Sequence, residues 1–428
     1  MTEIITGAAI ALTYGCVAAF SVLGTVRAPI YGAALLLALQ PFALYCQIGD
    51  TTLTLAKVAL IGVLAGLLYR SRVRVPFSRT AGWLVAAQLA VIATTAVSIW
   101  QAQFVSAAIR ETLKACEYLL LFVAVYSCYR ADPREPLMRW VLSAVTALVC
   151  ITALLQEVAG APSQLLINGH LIPRIAGALE GPNQLAGFLG IMIPVLLALC
   201  IARSDRWCAA SLGLATATLL MTFSRAGVVT TAIAVALVFL LSRDGSRRLG
   251  TLAVAIGAGA GLAGAGAWAA ATGSLELLRL WHLESTSDTG GVGTRSRLWR
   301  AALLLWQRHP IWGIGAGNFE YQVRFAGLPR VRTHANSLFL QALVEQGVLG
   351  LVSTLFLVWQ SILGFARTSL GAPLSLGAMA ASLGLALHQI VDLLIFYPKV
   401  GGTWWILLAL GCAAAREFLR PVENRSPA

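Results

Sequence analysis

Stretches of about 20 apolar residues recur along almost the whole chain, and no other feature limits its fold so strongly. A water-soluble core cannot hide them all. Only 11% of the 428 residues are charged against 58% hydrophobic, whereas soluble domains carry roughly a quarter charged residues. In a bilayer a helix satisfies its own backbone hydrogen bonds, so these stretches predict transmembrane helices. Candidate spans fall near 5–25, 29–48, 52–69, 81–100, 112–129, 140–158, 185–202, 207–223, 226–242, 249–271, 347–366, 375–396 and 401–415. They predict an all-α polytopic membrane protein of about 12–13 helices, with residues 1–428 as a single membrane domain. The first segment has no basic region before it and a second follows at once, which favours a span over a cleaved signal. All eight cysteines lie in or beside apolar segments, so they are expected to pack as small free thiols.

Basic loops set the orientation. The segments "YRSRVRVPFSR" (69–79), "YRADPREPLMR" (129–139), "RSDR" (203–206) and "RDGSRR" (243–248) alternate consistently and are expected in the cytoplasm. Residues 160–184, the turn at 224–225, the long loop 272–336 and the N-terminus then lie outside. That loop holds eight arginines (Arg279, Arg295, Arg297, Arg300, Arg308, Arg324, Arg330, Arg332) against four acids. Arg174 and Arg225 lie on neighbouring outer elements. Topology does not require this excess. A guanidinium fork grips phosphate oxygens and keeps its charge in a dry site, so the arginines point to an external anion, most simply a phosphate or diphosphate. A loop resting on anionic lipid headgroups is the alternative. Within the loop, residues 293–310 read as an amphipathic helix ended by Pro310, and "GIGAGNF" (313–319) as a glycine-rich turn.

The chemistry-bearing residues narrow the possibilities further. No Asp-x-Asp pair stands on the outer side and no two histidines have ligand spacing, so neither a metal nor another cofactor is expected. Arginine plus histidine suits transfer from a phosphate leaving group: the arginines neutralise the leaving group and a histidine takes a proton from the nucleophile. His388 lies within an apolar span and reads as a satisfied packing residue. His334 stands just before a helix whose N-cap would be Asn336 or Ser337. The helix dipole and nearby arginines are expected to keep its imidazole neutral. A loop-bracing histidine is the other reading.

"THANSLFLQALVEQGVLGL" (333–351) resembles the His-Asn-Ser…Glu-x-Gly motif of the O-antigen ligase and polymerase superfamily. "PRIAGALEGPNQLAGFL" (173–189), "LLMTFSRAGVV" (219–229) and "TRSRLWRAALLLWQRHPIWGIGAGNF" (294–319) resemble three further family segments, in order. The resemblance covers about residues 170–415 and implies a fold related to the C-type glycosyltransferases. It implies a polysaccharide donor on undecaprenyl diphosphate and, for a ligase, a sugar hydroxyl of the lipid A–core oligosaccharide as acceptor. The setting would be the periplasmic face of a bacterial inner membrane, with membrane lipids and no nucleic acid as partners. Transferred residue by residue, it makes His334 the catalytic base. Arg174, Arg225 and Arg295 become the diphosphate grip, with Arg332 as a fourth. Asn183, Asn336, Glu345 and Asp392 are supporting residues. Arg297 competes with Arg295 for the family's arginine position; Arg295 has the right spacing to Trp299, and the two point about 200° apart on a helix. His-Ala-Asn here replaces the commoner His-Asn. Two alternatives stay open. One is a polymerase whose donor and acceptor both ride on the carrier. The other is a solute carrier, which would place charge pairs inside several spans; Lys57, Arg110, Glu111, Lys114 and Glu117 are expected instead as ion pairs near a helix end.

Overall fold

A computed structural model describes residues 2–42, 45–48, 51–70, 76–159, 163–167, 170–203, 205–242, 292–328, 331–366 and 372–418. The expected span 249–271, the loop residues 272–291 with Arg279 and His282, and Arg330 lie outside the described residues. Long helices are α1 (Thr2–Arg27), α2 (Pro29–Leu39), α3 (Leu55–Tyr69), α4 (Arg79–Ser98), α5 (Val105–Ala131) and α6 (Glu135–Val158). They continue with α7 (Pro182–Arg203), α8 (Arg206–Met221), α9 (Arg225–Leu241) and the loop helices α10 (Val292–Trp306) and α11 (Phe319–Gln322). The series ends with α12 (Leu338–Ala366), α13 (Pro373–His388) and α14 (Pro398–Phe418). Two antiparallel hairpins interrupt it: β1 (Tyr45–Ile48) with β2 (Thr51–Thr54), and β3 (Ser163–Ile167) with β4 (His170–Arg174).

Among the described residues, five helices are long and apolar enough to cross a membrane: those within 79–101, 105–131, 135–156, 182–203 and 338–366. Shorter apolar helices pack among them, and the chain is an all-α polytopic membrane protein. The helix α7 is apolar all round, and 89% of its most apolar window is buried, against 28% for the window in α4. It is therefore the central helix, packed against α8, α9 and α13. Contact with α13 is close: a Cβ on Gly377 would stand 2.6 Å from the Val195 Cα. The seven cysteines whose side chains are described are free thiols.

Two expected spans are corrected. The helix predicted over 29–48 stops at Leu39, because Pro41 has no N–H to continue it, and strand β1 follows. Eleven residues rise only about 16 Å, roughly half the hydrocarbon thickness. The helix predicted over 375–396 ends at His388. Residues 389–397 are irregular, and their apolar composition had imitated a span.

The helices alternate between two ends. Arg70 donates to the Val26 carbonyl (2.9 Å), joining the C-termini of α1 and α3 at one end. Arg139 sits between Glu135 (3.4 Å) and Asp205 (2.9 Å) at that same end, with Arg203 on Glu135 (3.0 Å). At the other end, Gln40 donates to the Pro398 carbonyl (2.7 Å), joining the C-terminus of α2 to the N-terminus of α14. The starts of α5, α7, α9 and α12 and the ends of α4, α8 and α13 gather there too. So do Arg174 and His334.

Candidate active site

Arg174 closes strand β4 and lies over the α8–α9 turn. Its Nε donates to the Thr222 carbonyl (2.7 Å) and its Nη2 to the Asn183 Oδ1 (2.9 Å). Asn183, in the first turn of α7, donates from Nδ2 to the Asp392 Oδ2 (2.9 Å). Only one orientation of this amide serves both neighbours, since guanidinium only donates and carboxylate only accepts. The other Asp392 oxygen receives the Leu393 N–H (2.8 Å). A buried carboxylate thus faces a cation through an amide bridge rather than in direct contact. Burial, then repulsion from Arg295, lowers the Arg174 pKa to about 10, with Asp392 opposing both. The group stays a cation at neutral pH, and an anion there would relieve it.

Arg225 opens α9 and is half-buried; Arg295 lies on α10, also half-buried. Neither makes a hydrogen bond or ion pair with another described residue. Arg297 is exposed, two residues further along α10. Arg332 is placed differently. It is exposed, pairs with Glu320 at 3.5 Å and lies 4.5 Å over the Tyr321 ring. None of those contacts touches Asn183 or Asp392.

The His334 ring is held on both nitrogens. Asn336 donates its backbone N–H to Nδ1 (3.2 Å), and Nε2 is 3.2 Å from the Tyr397 hydroxyl. An acceptor role for Nδ1 puts the proton of the neutral ring on Nε2, pointing at Tyr397. Phe396 and Tyr397 flank the ring with centroids 5.9 and 6.1 Å away. Burial lowers the His334 pKa, and it outweighs the opposing pull of Asp392 and Glu320. The neutral form expected from dipole and arginines is thus favoured chiefly by desolvation. Asn336 contributes its backbone, at φ 51°, rather than a side-chain cap. Helix α12 starts at Leu338, whose N–H bonds the Gln389 carbonyl (3.0 Å) and ties the histidine loop to the Asp392 segment.

Glu345 and the glycines build the scaffold beneath. The Glu345 carboxyl receives the Phe319 N–H (3.0 Å) and the Gly317 N–H, and its carbonyl receives the Gly315 N–H (2.9 Å). Gly347 (φ 68°, ψ −164°) kinks α12 where the turn 311–317 crosses it backbone to backbone. A Cβ on Gly347 would stand 2.0 Å from the Ile311 oxygen, and one on Gly313 2.2 Å from the Glu345 carbonyl carbon. The Glu-x-Gly spacing therefore serves a chain crossing.

Tyr397, its neighbour Phe396 and Lys399 were not singled out from the sequence. Lys399 donates to the Ala178 carbonyl and pairs with Glu180 at 3.4 Å, which ties α14 to the loop before α7. Lys114 pairs with Glu111 (2.7 Å) and bonds the Phe396 carbonyl (3.1 Å), and Lys57 pairs with Glu117 (3.9 Å). These membrane-level charges are ion pairs, as expected. His388 differs from its expectation: it is buried, yet its Nε2 has no hydrogen-bond partner among the described residues. Among the described residues, no three His, Cys, Asp or Glu side chains group as metal ligands would.

Residues 209–355 match the family model described as O-antigen ligase. That stretch, about a third of the chain, is similar to the O-antigen ligase superfamily. The match supports a function of the O-antigen ligase or polymerase type. The matched stretch runs from α8 into α12 and holds Arg225, Arg295, Arg297, Arg332, His334, Asn336 and Glu345. Arg174, Asn183 and Asp392 lie outside it and join it through the Thr222 carbonyl and the Leu338 N–H. No curated protein matches the chain.

Proposed function

We propose that this protein transfers a polysaccharide from undecaprenyl diphosphate to a sugar hydroxyl of the lipid A–core oligosaccharide, at the periplasmic face of the bacterial inner membrane. One observation carries the reading: two half-buried arginines without a described partner share an end of the bundle with the Arg174–Asn183–Asp392 bridge and a neutral histidine. Arginines 174, 225 and 295 hold the diphosphate and stabilise the charge that grows on it as the glycosidic bond breaks. The acceptor hydroxyl attacks the anomeric carbon, a new C–O bond forms, and undecaprenyl diphosphate departs. The hydroxyl proton goes to the His334 Nδ1, where the approaching acceptor replaces the 3.2 Å contact with the Asn336 N–H. Tyr397 receives the Nε2–H and orients the ring, the third member that a general base requires. No step in this scheme requires a metal.

The test uses full-length protein in nanodiscs with an undecaprenyl-diphosphate-linked polysaccharide and lipid A–core. His334→Gln should bind undecaprenyl diphosphate as the wild type does, while transfer falls by about 10²–10⁴. A glutamine variant with normal transfer would remove the base role. Lipopolysaccharide from a deletion strain separates ligase from polymerase: loss of all O-chain with long carrier-linked polymer marks a ligase, and a single capped repeat a polymerase.

A further inference from the structure

Helix α4 runs into the turn Ile99–Gln101, where Trp100 is 91% exposed. Trp312, on the glycine turn that crosses α12, is 45% exposed. The two indoles border an open groove of about 580 Å³, lined also by Ala96, Val97, Ile99 and Gln101. Exposed tryptophan alone is ordinary at a membrane interface, but a concave apolar surface of this size marks a binding site. Arg308 lies four residues before Trp312, exposed and without a hydrogen bond or ion pair to another described residue. An apolar hollow beside a free cation has the chemistry of a site for an anionic lipid.

The position of the groove indicates which lipid. Arg295 stands in the first turn of α10, and Trp306 ends that helix about 16 Å further on. There the Trp306 Nε1 donates to the Pro310 carbonyl (3.1 Å), and the chain turns into Trp312. The turn is bonded to α12, from the Ile314 N–H to the Val344 carbonyl (3.0 Å) and from the Val348 N–H to the Pro310 carbonyl (2.9 Å). Ile314 and Val344 share one apolar cluster with Ala335, the residue after His334. The groove thus lies at the far end of α10 from Arg295, joined to the histidine loop by packed backbone. A nucleophile that displaces a leaving group at the anomeric carbon approaches from the opposite side of the sugar.

We infer that the Trp100–Trp312 groove holds an acyl chain of the acceptor glycolipid, with Arg308 meeting its anionic headgroup. The inference rests on the proposed transfer to lipid A–core. The length of α10 suits an acceptor that carries sugars between its lipid and its reactive hydroxyl.

Transfer kinetics of the full-length protein in nanodiscs test this, with the carrier-linked polysaccharide and lipid A–core varied in turn. Trp100→Ala and Trp312→Ala should each raise the KM for lipid A–core about tenfold, with kcat and the donor KM unchanged, as loss of ground-state binding requires. Arg308→Glu should raise the same KM. Trp100 is almost fully exposed, so its variant keeps the test independent of folding. Trp359→Ala, at a tryptophan 55% exposed further along α12, is the control and should change neither KM. An unchanged acceptor KM in both tryptophan variants, or an equal rise for the donor, would overturn the groove. The same rise in Trp359→Ala would also overturn it and mark a contact with bulk lipid only. A wild type that elongates carrier-linked chains but never modifies lipid A–core would overturn the proposed acceptor, and the occupant of the groove with it.

Discussion

The amide bridge at Asn183 makes a prediction with an unusual pH signature. In Asn183→Asp the new carboxylate still accepts from Arg174, but it has nothing to donate to Asp392. Placed at the present 2.9 Å separation, two charged carboxylates would repel by about 6 kcal/mol at an effective dielectric near 20. Water and small shifts will relieve part of this, yet the residue is large enough that the pair must hold a shared proton. With the proton in place the bridge is rebuilt: one carboxyl donates, the other accepts, and Arg174 keeps its partner. Wild-type transfer should be level with pH above the titration of His334. The aspartate variant should instead be weak at pH 8 and gain about tenfold or more as the pH falls toward 6.5, before protonation of His334 cuts in. Asn183→Leu, which fills the space and bonds to neither neighbour, should be impaired at every pH. It strands two charge-assisted hydrogen bonds worth about 1.5–3 kcal/mol each. The assay is initial transfer rate against pH for the three proteins. An aspartate profile parallel to the wild type would refute the bridge.

Four further expectations rest on other contacts. Because burial lowers the His334 pKa while Asp392 raises it, wild-type transfer should fall only as the pH drops through a value below about 6.5. Asp392→Asn removes an influence that favours the protonated ring, so its acid limb, read from the rate profile, should move to still lower pH. Arg295→Ala should weaken undecaprenyl diphosphate inhibition of transfer more than Arg297→Ala, since Arg297 is exposed; the reverse order would exchange their roles. Gly347→Ala must place a Cβ 2.0 Å from the Ile311 oxygen at a φ that L-residues avoid. Its backbone strain alone is about 1–3 kcal/mol, and thermal unfolding should show a larger loss than for Gly327→Ala, whose Cβ meets nothing within 4 Å.

The residues of the candidate site were more legible than the backbone that carries them. Arginine excess on a long loop and a histidine before a helix are visible in composition and cap chemistry, because charge near hydrocarbon needs a reason. Where the chain leaves helical geometry was harder to see. "QIVDLLIFYPK" (389–399) is as apolar as a span, and hydropathy alone joins it to α13. Two marks in it did carry the break: Asp392, which a lipid-facing helix would not hold, and Pro398, which suits the first turn of the next helix. Tyr397 escaped notice with the rest of that segment. The hairpin after α2 was hidden in the same way, with Pro41 as the available sign. Irregular backbone at membrane depth is tolerated where protein or a cavity surrounds it, so such a break is itself a pointer to a site.

That rule also explains why the two halves of the site come from distant parts of the chain. A helix spends its backbone N–H groups internally and leaves a neighbour only the second lone pair of a carbonyl. The irregular segment 389–397 offers more, and it does so on three sides. Gln389 gives its carbonyl to Leu338 beneath the histidine loop, Phe396 gives its carbonyl to Lys114, and Ile395 gives its carbonyl to the Tyr118 hydroxyl. Asp392 and Tyr397 then project from a strip fixed at both ends, one toward the Asn183–Arg174 bridge and one toward His334. The apolar character of the strip lets it stay buried, and its broken backbone lets it bind. A polar loop could supply the same side chains, but it could not be held dry between α5, α7 and α12. For the proposed chemistry, dryness is what keeps His334 neutral and strengthens the hold of arginine on phosphate.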